Sequence, residues 1–84
     1  MNEKICSSLE EIARLVKSSN DAAKIKEAIG HVRDLILGQE SSKQLDSELS
    51  TWQTKLAVIL KEPAGREGMA KHARYWAERI KNAG

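Results

Sequence analysis

Four stretches of this chain repeat an apolar side chain at alternating steps of three and four residues. They are Ile5-Leu9-Ile12-Val16, Ala22-Ile25-Ile29-Val32-Ile36, Leu45-Leu49-Trp52-Leu56-Ile59 and Met69-Ala73-Trp76-Ile80-Ala83. In an α-helix that spacing gathers the apolar groups into one stripe, the seam along which helices pack. The pattern predicts an all-α fold, a small four-helix antiparallel bundle running up-down-up-down. With 84 residues, only one hydrophobic core fits, so residues 1–84 read as a single domain.

The punctuation between the stripes sets the expected boundaries. Ser7-x-x-Glu10 and Ser8-x-x-Glu11 have the spacing of capping boxes and would start the first helix near Ser7. Ile5 already lies on the stripe, which makes a start near Asn2 the alternative. Ser18-Ser19-Asn20 supplies the first turn and the next cap, with Asp21 in the first turn of the second helix, near the positive end of its dipole. Gly38 suits the left-handed position after a helix and would end the second one. Pro63 forbids helical backbone at Glu62, and Ala64-Gly65 would complete the break, so the fourth helix is expected to begin between Arg66 and Gly68. Gly65 and Gly68 make that junction the expected hinge.

Leu35-Ile36-Leu37 and Val58-Ile59-Leu60 are apolar all round, yet the seam needs only Ile36 and Ile59, with Leu35, Leu56 and Leu60 widening it. Leu37 and Val58 are left without an internal partner. They either cover loop residues or form an apolar patch for a partner.

The formal charge of +2 hides an uneven distribution. Residues 1–40 carry six Lys/Arg against seven Asp/Glu, and residues 41–84 carry eight against five. The whole excess follows Pro63, where Arg66, Lys71, Arg74, Arg79 and Lys81 face only Glu67 and Glu78. Lys71, His72, Arg74, Arg79 and Lys81 therefore form the candidate nucleic-acid surface, basic groups interleaved with an imidazole and the phenol of Tyr75. The competing reading is an ordinary solvated face with Glu67–Lys71 and Arg74–Glu78 pairs, each worth a few tenths of a kcal/mol.

Catalytic chemistry finds little material. One cysteine and two histidines are present. Cys6 and His31 could pair across the first two helices as thiol and imidazole, but no glycine-rich turn or oxyanion segment accompanies them. Glu27, His31 and Asp34 share a helix face at spacings of four and three. No second carboxylate–histidine set exists to complete a metal site. An exposed histidine on a small bundle invites comparison with phosphotransfer domains, but Asp34, three residues on, would repel phosphate. A helix-turn-helix reading of Leu56 to Ile80 fails on the length of its first helix and on Glu67 and Gly68 at the reading end. No P-loop, dinucleotide fingerprint, zinc spacing or EF-hand loop occurs. Trp52 and Trp76 both fall on seam positions and are expected to meet in the core.

A lone cysteine excludes an internal disulfide, and no apolar run follows Met1, which points to a cytoplasmic protein. The longest apolar run, Leu56 to Leu60, cannot span a bilayer. The functional expectation is a non-catalytic protein–protein interaction module without cofactor, metal or small-molecule ligand. It would serve as an adaptor, regulatory or assembly subunit that can self-associate, since the core is light. Leu37, Val58, Arg74, Tyr75 and Arg79 are the expected contact residues, Tyr and Arg being common interface anchors. The alternative is a nucleic-acid-binding accessory protein using residues 66–82.

Overall fold

The first apolar stripe becomes α1 (Asn2–Ser18), with Ile5, Leu9, Ile12 and Val16 all buried. A computed structural model describes residues 2–83 and places four α-helices in them, with no strand among the described residues. After α1 come α2 (Ala22–Leu35), a 3₁₀ turn at Glu40–Ser42, α3 (Lys43–Lys61) and α4 (Pro63–Ala83). The core is wholly apolar, with no buried polar or charged residue among the described residues. Ile25, Ile29, Val32 and Ile36 line it from α2 and the turn behind it; Leu45, Leu49, Trp52 and Leu56 enter from α3.

Each helix packs against two others: α1 against α2 and α4, and α3 against α2 and α4. The α1–α4 seam is the most extensive, because α4 presents Ala70, Ala73 and Ala77 there and lets the backbones approach. Cys6 Sγ, near the start of α1, donates to the carbonyl of Ala77 late in α4 at 3.2 Å. At the other end Lys17 pairs with Glu67 at 3.3 Å, so the two helices run in opposite directions. Arg33, late in α2, holds Asp46, early in α3, at 2.8 and 3.3 Å, and Gln53 reaches back to the Lys26 carbonyl. That pair is antiparallel too.

The helix ends differ from the sequence reading in instructive ways. α1 takes the earlier of the two expected starts, at Asn2, so the serines after Ile5 are not caps; Ser7 Oγ donates to the Lys4 carbonyl inside the helix. Asp21 is itself the N-cap of α2, accepting from the Lys24 amide at 3.1 Å, rather than a first-turn residue. Gly38 has φ of +83°, the left-handed turn expected of it, although α2 proper stops at Leu35.

The α3–α4 break is much tighter than expected. Only Glu62 is non-helical, extended as the residue before a proline must be, and Pro63 opens α4. Gly65 lies within α4 rather than in a loop. A Cβ there would sit 2.7 Å from the Ile59 carbonyl oxygen, so the corner closes only on glycine. Instead of a hinge, this is a close-packed corner.

Arg66 secures the same corner. Its guanidinium donates to the carbonyls of Leu60 (3.0 Å), Val16 (3.0 Å) and Ser19 (2.9 Å), and to Asn20 Oδ1. These carbonyls lie at the ends of α1 and α3, where no intrahelical partner exists. One side chain therefore closes two helix ends, a role that counting it with the surface charges had obscured.

Candidate interaction surface

Trp76 does not sit at the bundle centre beside Trp52. Trp52 is buried, whereas Trp76 is half-buried at the edge of the α3–α4 seam. Its indole Nε1 donates to Glu48 Oε1 of α3 at 3.3 Å, and the same oxygen lies 3.0 Å from His72 Nδ1. The ring meets Tyr75 edge-on, with centroids 5.7 Å apart and planes at 74°. Across it lies the guanidinium of Arg79, 5.2 Å from the ring centroid, with Nη1 donating to the Tyr75 hydroxyl at 3.3 Å. Consecutive residues 75 and 76, with 79 one turn on, thus build a tyrosine–tryptophan–arginine cluster. Tyr75 remains 55 % exposed.

The cluster borders a groove of about 280 Å³ at one end of the bundle. Ile5 of α1, Gln44 of α3, Ile80 and Ala83 of α4, and the polar turn residues Gln39 and Ser42 line it with Trp76 and Arg79. Gln39 and Ser42 also line a neighbouring depression that contains Leu37. Leu37 is 82 % exposed, so the residue left over from the seam does reach the surface and lies at this same end.

Val58 is also exposed, at 64 %, but lies elsewhere. Val58 lies fifteen residues along α3 from Lys43, which borders the Leu37 depression, or about 22 Å at 1.5 Å per residue. In a bundle 34 Å long this puts them at opposite ends. Leu37 and Val58 do not form one patch.

The basic residues of α4 are likewise dispersed. At about 100° per residue, Arg74 and Lys81 lie roughly 140–160° around the helix from Arg79. Lys81 borders a groove with Cys6 and Glu10 of α1, while His72 is engaged with Glu48 on the α3 side. Glu67, expected to pair with Lys71, reaches instead to Lys17. What sequence spacing gathers into one basic face is two flanks separated by acidic and aromatic side chains.

The remaining candidate chemistry does not assemble. Cys6 turns to the Ala77 carbonyl and lies half-buried; burial, foremost, and Glu10 push its thiol upward, while Lys81 opposes them. His31 sits in a separate groove with Leu15, Glu27 and Asp34, so no thiol–imidazole pair forms. No group of three or more metal-ligating side chains occurs among the described residues. Arg33 is held above its ordinary value by its hydrogen bond to Asp46, and it also donates to Gln53, an arrangement that locks α2 to α3.

Comparison with protein-family models, with characterised proteins and with solved structures finds no match. Functional inference therefore rests on the surface alone. No helix among the described residues is long and apolar enough to cross a membrane. Of the surface, Trp76 is the residue that sequence reasoning misplaced. The signal was its neighbours, since Tyr75 and Arg79 stand at steps of one and three on the same flank.

Proposed function

We propose that this chain is a non-catalytic protein–protein interaction module of the cytoplasm, an adaptor, regulatory or assembly subunit. Its principal contact surface in this reading is the bundle end carrying Tyr75, Trp76 and Arg79, with Leu37 beside it. The supporting observation is the exposed cluster itself. Trp, Tyr and Arg are the residue types most enriched among interface anchors, and here the three are held in fixed mutual geometry beside a groove. Side chains already ordered lose less entropy when a partner arrives. Val58 and Arg74 are separate exposed positions, and Val58 is the candidate contact for self-association. The nucleic-acid reading rests on the net charge of α4, and the dispersal of its cations does not strengthen it.

Site-specific photocrosslinking in the native cell tests the proposal. Tyr75→p-benzoylphenylalanine should give a defined protein adduct that Leu37→Asp or Arg79→Ala diminishes. The same label at Glu27, on the far groove, should not form it. Adducts that dissolve under nuclease, or equal labelling from both positions, would refute the reading.

A further inference from the structure

The end groove has an unusual electrostatic content. Among its described lining residues Arg79 is the sole charged side chain, and neither Asp nor Glu faces it there. No described carboxylate forms an ion pair with Arg79; the one hydrogen bond it makes among the described residues goes to the Tyr75 hydroxyl. Arg14 and Arg33, by contrast, each hold a carboxylate. Among the described residues most of the five N–H donors of Arg79 therefore meet no acceptor, while its guanidinium carbon already lies 5.2 Å from the Trp76 ring centroid.

Beside that cation the groove mixes apolar and neutral polar side chains. Ile5, Ala83 and the half-buried Ile80 and Trp76 form its apolar floor, and the other lining side chains besides Arg79 are neutral and polar. Its volume of about 280 Å³ has room for one or two side chains. A guanidinium with free parallel donors matches a carboxylate in bidentate geometry, and the adjoining floor matches an aliphatic group.

We infer that the groove binds a short acidic segment of a partner protein, with an Asp or Glu carboxylate on Arg79 and a neighbouring aliphatic side chain on Ile5, Trp76 and Ile80. The inference rests on the interaction-module reading and gives it a chemical class of partner. Charge complementarity selects this occupant, because a basic segment would meet an unpaired cation and a purely apolar one would leave that cation desolvated. Arg79 supplies the anion contact, Tyr75 and Trp76 hold it in place, and the floor supplies the burial.

Amide and side-chain NMR titration of the intact protein tests it. The titrants are the blocked pentapeptide Ala-Leu-Glu-Leu-Ala, its Gln analogue and an eight-nucleotide uridine oligomer. The Glu peptide should shift the Trp76 indole, the Arg79 side chain and the amides of Ile5 and Ile80 in a saturable way. The Gln peptide should bind at least tenfold more weakly, Arg79→Gln should abolish that preference, and Arg79→Lys should restore part of it. Equal affinity for the Glu and Gln peptides, an unaltered preference in Arg79→Gln, or shifts centred away from the groove would overturn the inference. So would tighter binding of the oligonucleotide at the same residues. A protein crosslink from position 75 together with an Arg79-independent peptide would defeat this inference alone. Nuclease-sensitive crosslinks would instead defeat the interaction reading.

Discussion

Replacing Arg66 with methionine should unsettle this bundle far more than the loss of one surface charge. The side chain makes four hydrogen bonds, to the carbonyls of Val16, Ser19 and Leu60 and to Asn20. A hydrogen bond to a charged group contributes about 1.5–3 kcal/mol when well buried. Arg66 is only half-buried, so ~0.5–1 kcal/mol per bond is the safer figure. Four bonds then give roughly 2–4 kcal/mol, against a total stability of about 4–12 kcal/mol for a domain this size. For 60–100 residues, 1 kcal/mol moves the melting temperature by roughly 4–8 °C, so Arg66→Met should melt about 8–32 °C lower. Circular dichroism melts and urea titrations at matched salt would measure it. Methionine keeps the stem, so lost packing is a small part of the effect. Arg66→Lys should recover only part of it, because an ammonium cannot reach along three carbonyl directions as the planar fork does. The partners are carbonyls rather than carboxylates, so added salt should not erase the difference. A melting temperature within 2–3 °C of wild type, or one matched by the exposed-pair control Glu67→Gln, would show that these carbonyls are satisfied equally well by water.

Other outcomes follow from the same geometry. Gly65→Ala should destabilise by roughly 1–3 kcal/mol, since its methyl meets the Ile59 backbone, whereas Gly68→Ala, with open space around it, should stabilise by about 0.5–1 kcal/mol; opposite signs in urea titrations are the check. The Cys6 thiol, held above the ordinary cysteine value of 9.0, should react with iodoacetamide more slowly in the native than in the urea-unfolded chain, with its rate midpoint displaced to higher pH. Because its folded value is the higher one, the stability it contributes is complete below pH 9.0 and is lost as pH climbs through the folded value, a loss that Cys6→Ser should remove. Leu37→Asp and Val58→Asp should each leave the urea midpoint within about 0.5 kcal/mol of wild type, as both side chains face solvent. Any self-association that depends on Val58 should disappear with it in light scattering.

Apolar periodicity made the helices and most of the core legible, because burial of a stripe is a local property of spacing. Gly38 and Pro63 were legible as stops for the same reason: their backbone limits act on one residue. What sequence left hidden was relational. Nothing local distinguishes Arg66, which spans from α4 to the ends of α1 and α3, from Arg74, which lies in solvent. Gly65 reads as a helix breaker until the Ile59 carbonyl is placed 2.7 Å from its missing side chain. Trp76 shares the seam spacing of Trp52 but faces Glu48 and Arg79, since α4 is rotated to bring its alanines onto α1. That Leu37 and Val58 lack a place on the seam was legible; whether they cover loops or face solvent, and how far apart they lie, was not, since both depend on where each helix ends.

The dominance of the α1–α4 seam has a kinetic consequence. It joins the two helices farthest apart in sequence, and Cys6 bonds a carbonyl seventy-one residues away. Neither α1–α2 nor α3–α4 buries its full stripe as an isolated hairpin, so local hairpin formation cannot by itself reward the chain. The step that does so is closure of the ring, which brings α4 back to α1 and fastens Arg66 beneath it. Folding should therefore be slower than helical content alone suggests, its contact order raised by one pairing. Covalently joining the ends of α1 and α4, which line the same groove, while opening the chain at Gly38 would convert that distant pairing into a local one and accelerate folding without altering the packed core.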